Sequence, residues 1–201
     1  MFIYQTYRAF ILKFLVLLAA VIVSNGNVLL ASDLSDASQL REKCETEFKV
    51  MEVPVKNFGN NYVKKNYQTG MELIRDAKIK IAQSKYQDAI AIYNKFLKLH
   101  YEIYKELSAD YIHRTEMIYN DTAVDLVDFI DNAKVSQYFR LANQNIVDAK
   151  KAATAENFKL VIETCRISKK YSIDSYREAG KPVPDQYKKD IKDNGKELFQ
   201  N

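Results

Sequence analysis

The sequence predicts an all-α protein, an elongated bundle of about five long helices that includes two related helical hairpins. Turn-forming residues are scarce, with 5 Gly and 3 Pro in 201 residues, which suits long helices and leaves a sheet protein short of turns. Apolar residues also recur every three or four positions over long runs, as on one face of an amphipathic helix. Aromatic residues make up 12% of the chain, enough for a packed core, so we expect disorder only at the ends.

The N-terminus has the pattern of an export signal. Arg8 and Lys13 precede an unbroken apolar run over 14–23, and the small residues Ala31 and Ser32 offer a cleavage site. The run is too short for a bilayer, which needs about 20 apolar residues. We therefore expect a signal peptide over residues 1–32 and export to the periplasm or the exterior. An uncleaved N-terminal anchor is the alternative.

The charge of the mature chain excludes one class of partner. Residues 1–32 carry two of the 30 Lys and Arg and none of the 26 Asp and Glu, so the net charge without them is +2. A nucleic-acid-binding protein concentrates Lys and Arg on one face, whereas charges of both signs are mixed throughout this chain. We expect neither a nucleic-acid partner nor membrane association after cleavage.

Caps and breakers divide the rest of the chain into an all-helical domain over 33–181 and a charged tail over 182–201. Pro54 ends the first helix, Asn120 or Asp121 caps the fourth, and Gly180 ends the fifth. Thr122 and Asp125 approximate a capping box for the fourth helix. The predicted helices are 33–52, 58–83, one opening at Tyr86 and running to Tyr119, 122–153 and 156–179. The tail is predicted either as a short helix or as frayed chain.

The third predicted helix carries the longest apolar stripe. Its members alternate at spacings of four and three from Tyr86 to Ile118, broken only at Arg114. Aromatic side chains beyond the needs of a core are frequent at protein interfaces. We therefore expect some members of one set of tyrosines to face a partner, and that set is Tyr86, Tyr93, Tyr101, Tyr104 and Tyr111.

A shift of 72 residues aligns the chain with itself. It places 74–78 on 146–150, each with the pattern Ile-x-Asp-Ala-Lys, and Tyr86 on Phe158. This agreement predicts two related helical hairpins. Each hairpin resembles a tetratricopeptide repeat in the spacing of its small and aromatic residues. The matching residues are Ala77, Tyr86, Ala89 and Tyr93 in the first copy, and Ala149, Phe158 and Ser168 in the second. In the first copy Phe96 stands at a small position and Tyr101 replaces the closing proline.

The resemblance implies stacked hairpins that bind a protein. The whole chain, exported and rich in Tyr and Lys, is also similar in style to the helical periplasmic proteins that form the sheath or collar of spirochaetal flagella. We expect a non-catalytic protein that binds another protein or self-assembles in the cell envelope, as a structural component of such an assembly. The alternative is a small-ligand or metal carrier that uses the bundle interior.

Few residues suggest chemistry. Cys44 and Cys165 are candidates for a disulfide, because export permits one, with two buried thiols as the alternative. His100 lies in the apolar stripe, where we expect a core histidine bonded to a hydroxyl or a carboxylate. A weak metal candidate lies on one side of the third helix and consists of Glu106, Asp110, His113 and Glu116. Four carboxylates near the start of the fourth helix favour its dipole, and they are Asp121, Asp125, Asp128 and Asp131.

Catalytic motifs are missing from the sequence. It contains no phosphate loop, nucleophile elbow or metalloprotease helix. We therefore expect no cofactor, no resident metal and no enzymatic activity.

Overall fold

A computed structural model describes residues 32–193, and within that range the chain forms six α-helices and two 3-10 helices and contains no strand. The all-α prediction is confirmed. The α-helices are α1 (32–58), α2 (Asn61–Ala82), α3 (Tyr86–Asp125), α4 (Ala133–Thr154), α5 (Phe158–Glu178) and α6 (Lys188–Asp193), and the 3-10 helices are Val127–Phe129 and Asp185–Tyr187. The predicted signal peptide, apart from Ser32, and the last residues of the tail lie outside the described range.

Helix α1 continues past Pro54, so the predicted end at this proline is wrong. Proline removes one backbone N–H from a helix, but Pro54 is buried between Met51 and Val55 of the core, and this packing keeps the segment helical. Gly59 N–H makes the last hydrogen bond of the helix, to the carbonyl of Val55 at 2.9 Å, and the chain leaves the helix at this residue. A Cβ on Gly59 would lie 2.5 Å from that oxygen, so the turn requires glycine.

Helix α3 is 40 residues long, about 60 Å at the usual rise. It runs through the predicted break at 120–125, and that boundary was wrong. Thr122 is buried within the helix, where its hydroxyl donates to the carbonyl of Ile118 at 2.6 Å instead of capping a new helix. A threonine hydroxyl can bond four residues back in a helix as well as cap one. Helix α4 starts eleven residues later than predicted, at Ala133.

Two helical hairpins, α2 with the start of α3 and α4 with α5, begin with the same cap. Helices α2 and α4 each contain 22 residues and start 72 positions apart. The side chain of Asn60 accepts from Val63 N–H at 2.9 Å, and that of Asn132 accepts from Val135 N–H at 3.3 Å. Both caps place an Asx oxygen on the backbone N–H three residues later, as an N-cap does.

The turns inside the two hairpins also match. Ser84 and Glu156, again 72 positions apart, have φ of 59° and 56°. The next residue in each turn donates its N–H to a carbonyl five residues back, Lys85 to Lys80 and Asn157 to Ala152, both at 2.9 Å. This bond and the left-handed residue before it form the usual end of an α-helix. Each hairpin is thus closed by the same backbone geometry.

The buried side chains form three clusters along α3. The first joins α1, α2 and the start of α3, and its buried members are Cys44, Ile74, Ala77, Ala89, Tyr93 and Phe96. The second joins the middle of α3 to α5 and to the turn between α1 and α2. The third surrounds the end of α3 and includes Tyr187 of the C-terminal segment. Helix α3 therefore contributes buried residues to all three core clusters.

Candidate functional site

The structure divides the five candidate tyrosines of α3 between core and surface. Tyr93, Tyr104 and Tyr111 are buried, Tyr86 is half-buried, and Tyr101 is 41% exposed. Three members of the set therefore serve the core, as an apolar stripe at helical spacing usually does. Of the set, Tyr101 is the member with a large exposed surface for a partner.

Tyr101 lies in a surface groove of 860 Å³ along α3, whose lining residues are Asn94, Leu97, Lys98, Leu99, Tyr101 and Glu102. The edge of the Tyr101 ring packs against Phe158 at a centroid distance of 5.4 Å. Its hydroxyl donates to a carboxylate oxygen of Glu156 at 3.4 Å. The turn inside the second hairpin therefore fixes the position of the Tyr101 ring, which belongs to the first hairpin.

His100 is a core residue, as the sequence predicts, but its partner is a backbone group. Its Nε2–H donates to the carbonyl oxygen of Glu47 at 3.1 Å, where we expected a hydroxyl or a carboxylate. The ring stacks on Phe96 and meets Tyr104 edge-on. Burial lowers the pKa of His100 to about 4, so the imidazole is neutral at physiological pH.

The residues of the weak metal candidate have other roles or face solvent. Glu106 accepts from the side-chain amide of Asn60 at 3.3 Å, and Glu116 pairs with Lys150 at 2.5 Å. His113 and Asp110 are exposed. Between residues 32 and 193, no three His, Cys, Asp or Glu side chains are arranged to hold a metal ion. These residues give no specific support to a carrier function.

Cys44 and Cys165 are free and buried. Cys44 lies in the first core cluster, where its thiol points to the carbonyl of Tyr93 at 3.9 Å, and Cys165 lies in the second cluster. The candidate disulfide is not formed, because the two side chains belong to separate parts of the core. Burial raises the pKa of each thiol to about 11, which keeps both protonated and unreactive.

A buried ionic cluster at the C-terminal end was not predicted. Asp190 and Asp193 of α6 are 0% and 1% exposed. Asp190 accepts from Arg114 Nε at 2.9 Å and from Lys169 Nζ at 3.0 Å. Asp193 accepts from Lys169 Nζ at 2.7 Å, and from Arg166 and the hydroxyl of Tyr111 at 2.8 Å each. Residues 185–193 contain three Asp and three Lys, and we call them the acidic segment after the two buried carboxylates, Asp190 and Asp193.

The groups that receive the acidic segment form a pocket with both cationic and aromatic walls. We call it the cationic pocket, and it consists of Phe58, Tyr111, Arg114, Arg166 and Lys169. Lys169 is fully buried, and its ammonium group lies 4.4 Å from the ring centre of Phe58 and 4.5 Å from that of Tyr111. Both distances are within the range of cation–π attraction. The rings and the two carboxylates together offset the cost of burying this charge.

The electrostatics of the pocket favour an ionised Asp193. Burial raises the pKa of Asp193, but the charges and hydrogen bonds of Lys169 and Arg166 outweigh it, and the net pKa lies below its usual range. Burial, followed by the nearby charge of Asp193, raises the pKa of Tyr111 well above its ordinary value. Tyr111 therefore remains a hydrogen-bond donor to an ionised Asp193.

Two of the four carboxylates that the sequence placed at a helix start accept hydrogen bonds from tyrosines, Asp121 from the acidic segment and Asp125 from α5. Asp121 accepts from the hydroxyl of Tyr187 at 2.7 Å, and Asp125 accepts from that of Tyr176 at 2.5 Å. Asp128 and Asp131 are exposed. Two of the four carboxylates therefore bind tyrosines near the C-terminal segment, and the other two face solvent.

One signal for the cluster was present in the sequence. Arg114 is the single break in the apolar alternation of α3, and it lies in the cationic pocket. Asp190 and Asp193 are three residues apart and share one side of α6, but Lys188, Lys189 and Lys192 around them resemble a solvated surface. The pattern did not reveal that Arg166 and Lys169 would be buried.

Comparison of the chain with protein-family models, with curated proteins and with solved structures finds no match. No helix within residues 32–193 has both the length and the apolar character needed to cross a membrane.

Proposed function

We propose that this chain is an exported, non-catalytic helical protein that acts in the cell envelope by binding another protein or by self-assembly. Its specific form would be a structural component of a periplasmic assembly such as a flagellar sheath or collar. The observation that carries the proposal is the groove around Tyr101, an exposed aromatic side chain held in place on a long helix.

The composition of the groove supports a protein ligand. Leu97 and Leu99 supply apolar surface, Lys98 and Glu102 supply charges of both signs, and Tyr101 supplies the aromatic ring. Aromatic anchors surrounded by polar groups dominate the binding energy of protein interfaces. Small-molecule sites are instead enclosed clefts that bury most of the ligand, whereas more than two fifths of Tyr101 is exposed.

The two hairpins support an architectural role. Their caps and turns recur at the same 72-residue interval, and we take them to be duplicated units of tetratricopeptide type. Stacked helical repeats present long surfaces and commonly act as binding scaffolds. Export rests on the N-terminal pattern of residues 1–32.

The experiment compares Tyr101→Ala with Tyr62→Ala in the mature chain. Tyr62 is a matched control, because it is 55% exposed and does not line the groove. We expect Y101A to weaken self-association or capture of a crosslinked envelope partner at least tenfold, and Y62A to leave it within twofold. Both variants should keep wild-type helicity by circular dichroism. A chain that neither self-associates nor captures a partner at any concentration would refute the proposal.

A further inference from the structure

The acidic segment is a separate structural unit at the end of the chain. Helix α5 ends before Gly180, which has φ of 68° and no atom within 4 Å of the position a Cβ would take. Pro182 and Pro184 follow and cannot continue a helix. Beyond them, the segment contacts side chains that are distant in sequence, from Phe58 to Lys169. Its attachment therefore depends on the pocket and not on its neighbours along the chain.

The cationic pocket requires acidic groups. Three cations, Arg114, Arg166 and Lys169, face two carboxylates, and two of the cations are no more than 2% exposed. Nε and Nη1 of Arg166 are buried without a hydrogen-bond partner. Removal of the segment would leave three positive charges close together with no carboxylate to neutralise them. An open pocket is therefore short-lived unless another acidic segment enters it.

We propose that the cationic pocket is a docking site for the acidic segment of a second copy of this chain, so that two copies exchange segments 185–193. This inference rests on the self-assembly branch of the proposed function and adds a second surface, separate from the groove around Tyr101, through which copies associate. In the exchanged pair, Asp190 and Asp193 of each copy bind Lys169 and Arg166 of the other.

A second copy matches the pocket better than an unrelated acidic peptide does. It supplies Asp190 and Asp193 at the spacing that reaches both Lys169 and Arg166, together with Tyr187, which is fully buried against the third core cluster. Exchange of an identical element repeats every contact of the closed form, so its main cost is the entropy of association. The link 180–184 can open without unwinding α5, because it lies beyond the last residue of that helix, Glu178. Opening breaks several contacts, among them those of Lys181 with the Phe129 ring and of Val183 with the third core cluster. They also include hydrogen bonds from Lys181 to the carbonyls of Tyr176 and Asp125.

Complementation between two variants of the full chain tests the exchange. Asp190→Asn with Asp193→Asn removes the charges of the segment and keeps the pocket, whereas Arg166→Met with Lys169→Met does the reverse. We expect each variant alone to be monomeric by sedimentation, and a mixture to form a one-to-one heterodimer held by a single intact interface. Folded variants, judged by circular dichroism, that form no heterodimer would overturn the inference.

A peptide probe keeps the test independent of how well these variants fold. A labelled peptide of residues 181–193 is titrated into the wild-type chain beside its D190N/D193N counterpart. We expect saturable binding that is at least tenfold tighter for the native peptide. Absence of binding, or equally tight binding of polyglutamate of the same length, would overturn the second copy as occupant. Self-association that depends on Tyr101 but not on the segment would overturn this inference and leave the proposed function intact.

Discussion

The ammonium group of Lys169 lies 2.7 Å from a carboxylate oxygen of Asp193, and neither side chain is more than 1% exposed. Loss of one partner from such a pair leaves an uncompensated charge in the interior, at a typical cost of 3–5 kcal/mol. We expect Asp193→Ala to lower the free energy of unfolding by about 3 kcal/mol in urea denaturation.

The matched control is Asp185→Ala. Asp185 pairs with Lys188 at 3.1 Å with both side chains largely exposed, and such surface pairs contribute about 0–1 kcal/mol. Equal stability losses in D193A and D185A would show that the buried cluster does not hold the C-terminal segment.

The buried imidazole of His100 makes stability depend on pH. Its folded pKa of about 4 lies below the unfolded value of about 6.5. Below pH 6.5 the unfolded chain therefore binds a proton that the folded chain does not, and stability falls until the pH reaches the folded pKa. Between pH 7 and pH 5 we expect a loss of about 2 kcal/mol in urea denaturation.

Two variants isolate the contribution of His100. His100→Gln removes the titrating group, and we expect it to flatten most of this pH dependence. His113→Gln is the control, because His113 is exposed, and it should retain the wild-type loss. The lowered pKa values of Glu47 and Asp193 act at more acidic pH, since their stabilisation is present above the ordinary carboxyl pKa of about 4 and is lost below it.

The matching caps of α2 and α4 predict matching energetics. We expect Asn60→Ala and Asn132→Ala each to cost about 1 kcal/mol in chemical denaturation, because each removes the acceptor for a helix N-terminal N–H. Asn143→Ala, at an exposed position inside α4, should be neutral or slightly stabilising, since alanine is the better helix former. Stability losses at Asn60 and Asn132 that do not exceed the effect at Asn143 would contradict the capping geometry.

The two buried thiols should be nearly unreactive in the native protein. With raised pKa values and no solvent access, Cys44 and Cys165 should react with Ellman's reagent at least 100-fold more slowly than a free thiol. Unfolding in guanidinium without reductant should release both. Absence of titratable thiol in the unfolded, unreduced chain would indicate a disulfide in the exported protein.

Regular spacing made most of the helical framework predictable. Apolar periodicity located the first turn of α3 at Tyr86, and Gly180 as a helix breaker located the end of α5. The alignment of the chain with itself at a shift of 72 residues likewise predicted two helical hairpins, and the boundaries of the two hairpins lie 72 residues apart.

The wrong helix boundaries were predicted at residue types that occur both at the ends of helices and inside them. Thr122 and Asp125 are typical of a cap, yet in the folded chain Thr122 bonds back along α3 and Asp125 binds Tyr176. Pro54 is a typical stop, yet core packing carries α1 past it. At the candidate site, the predicted set of tyrosines included the exposed Tyr101 but assigned the buried Tyr93 and Tyr111 to the same role, because spacing alone does not show which side of a helix its neighbours cover.

Helix α3 is the second helix of the first hairpin and also packs against α4 and α5 of the second, so one continuous helix about 60 Å long contacts both units. A hinge between the units would require breaking backbone hydrogen bonds inside that helix. The continuous helix therefore keeps the two hairpins at a fixed spacing, and a force applied to one hairpin is transmitted to the other without a flexible linker between them.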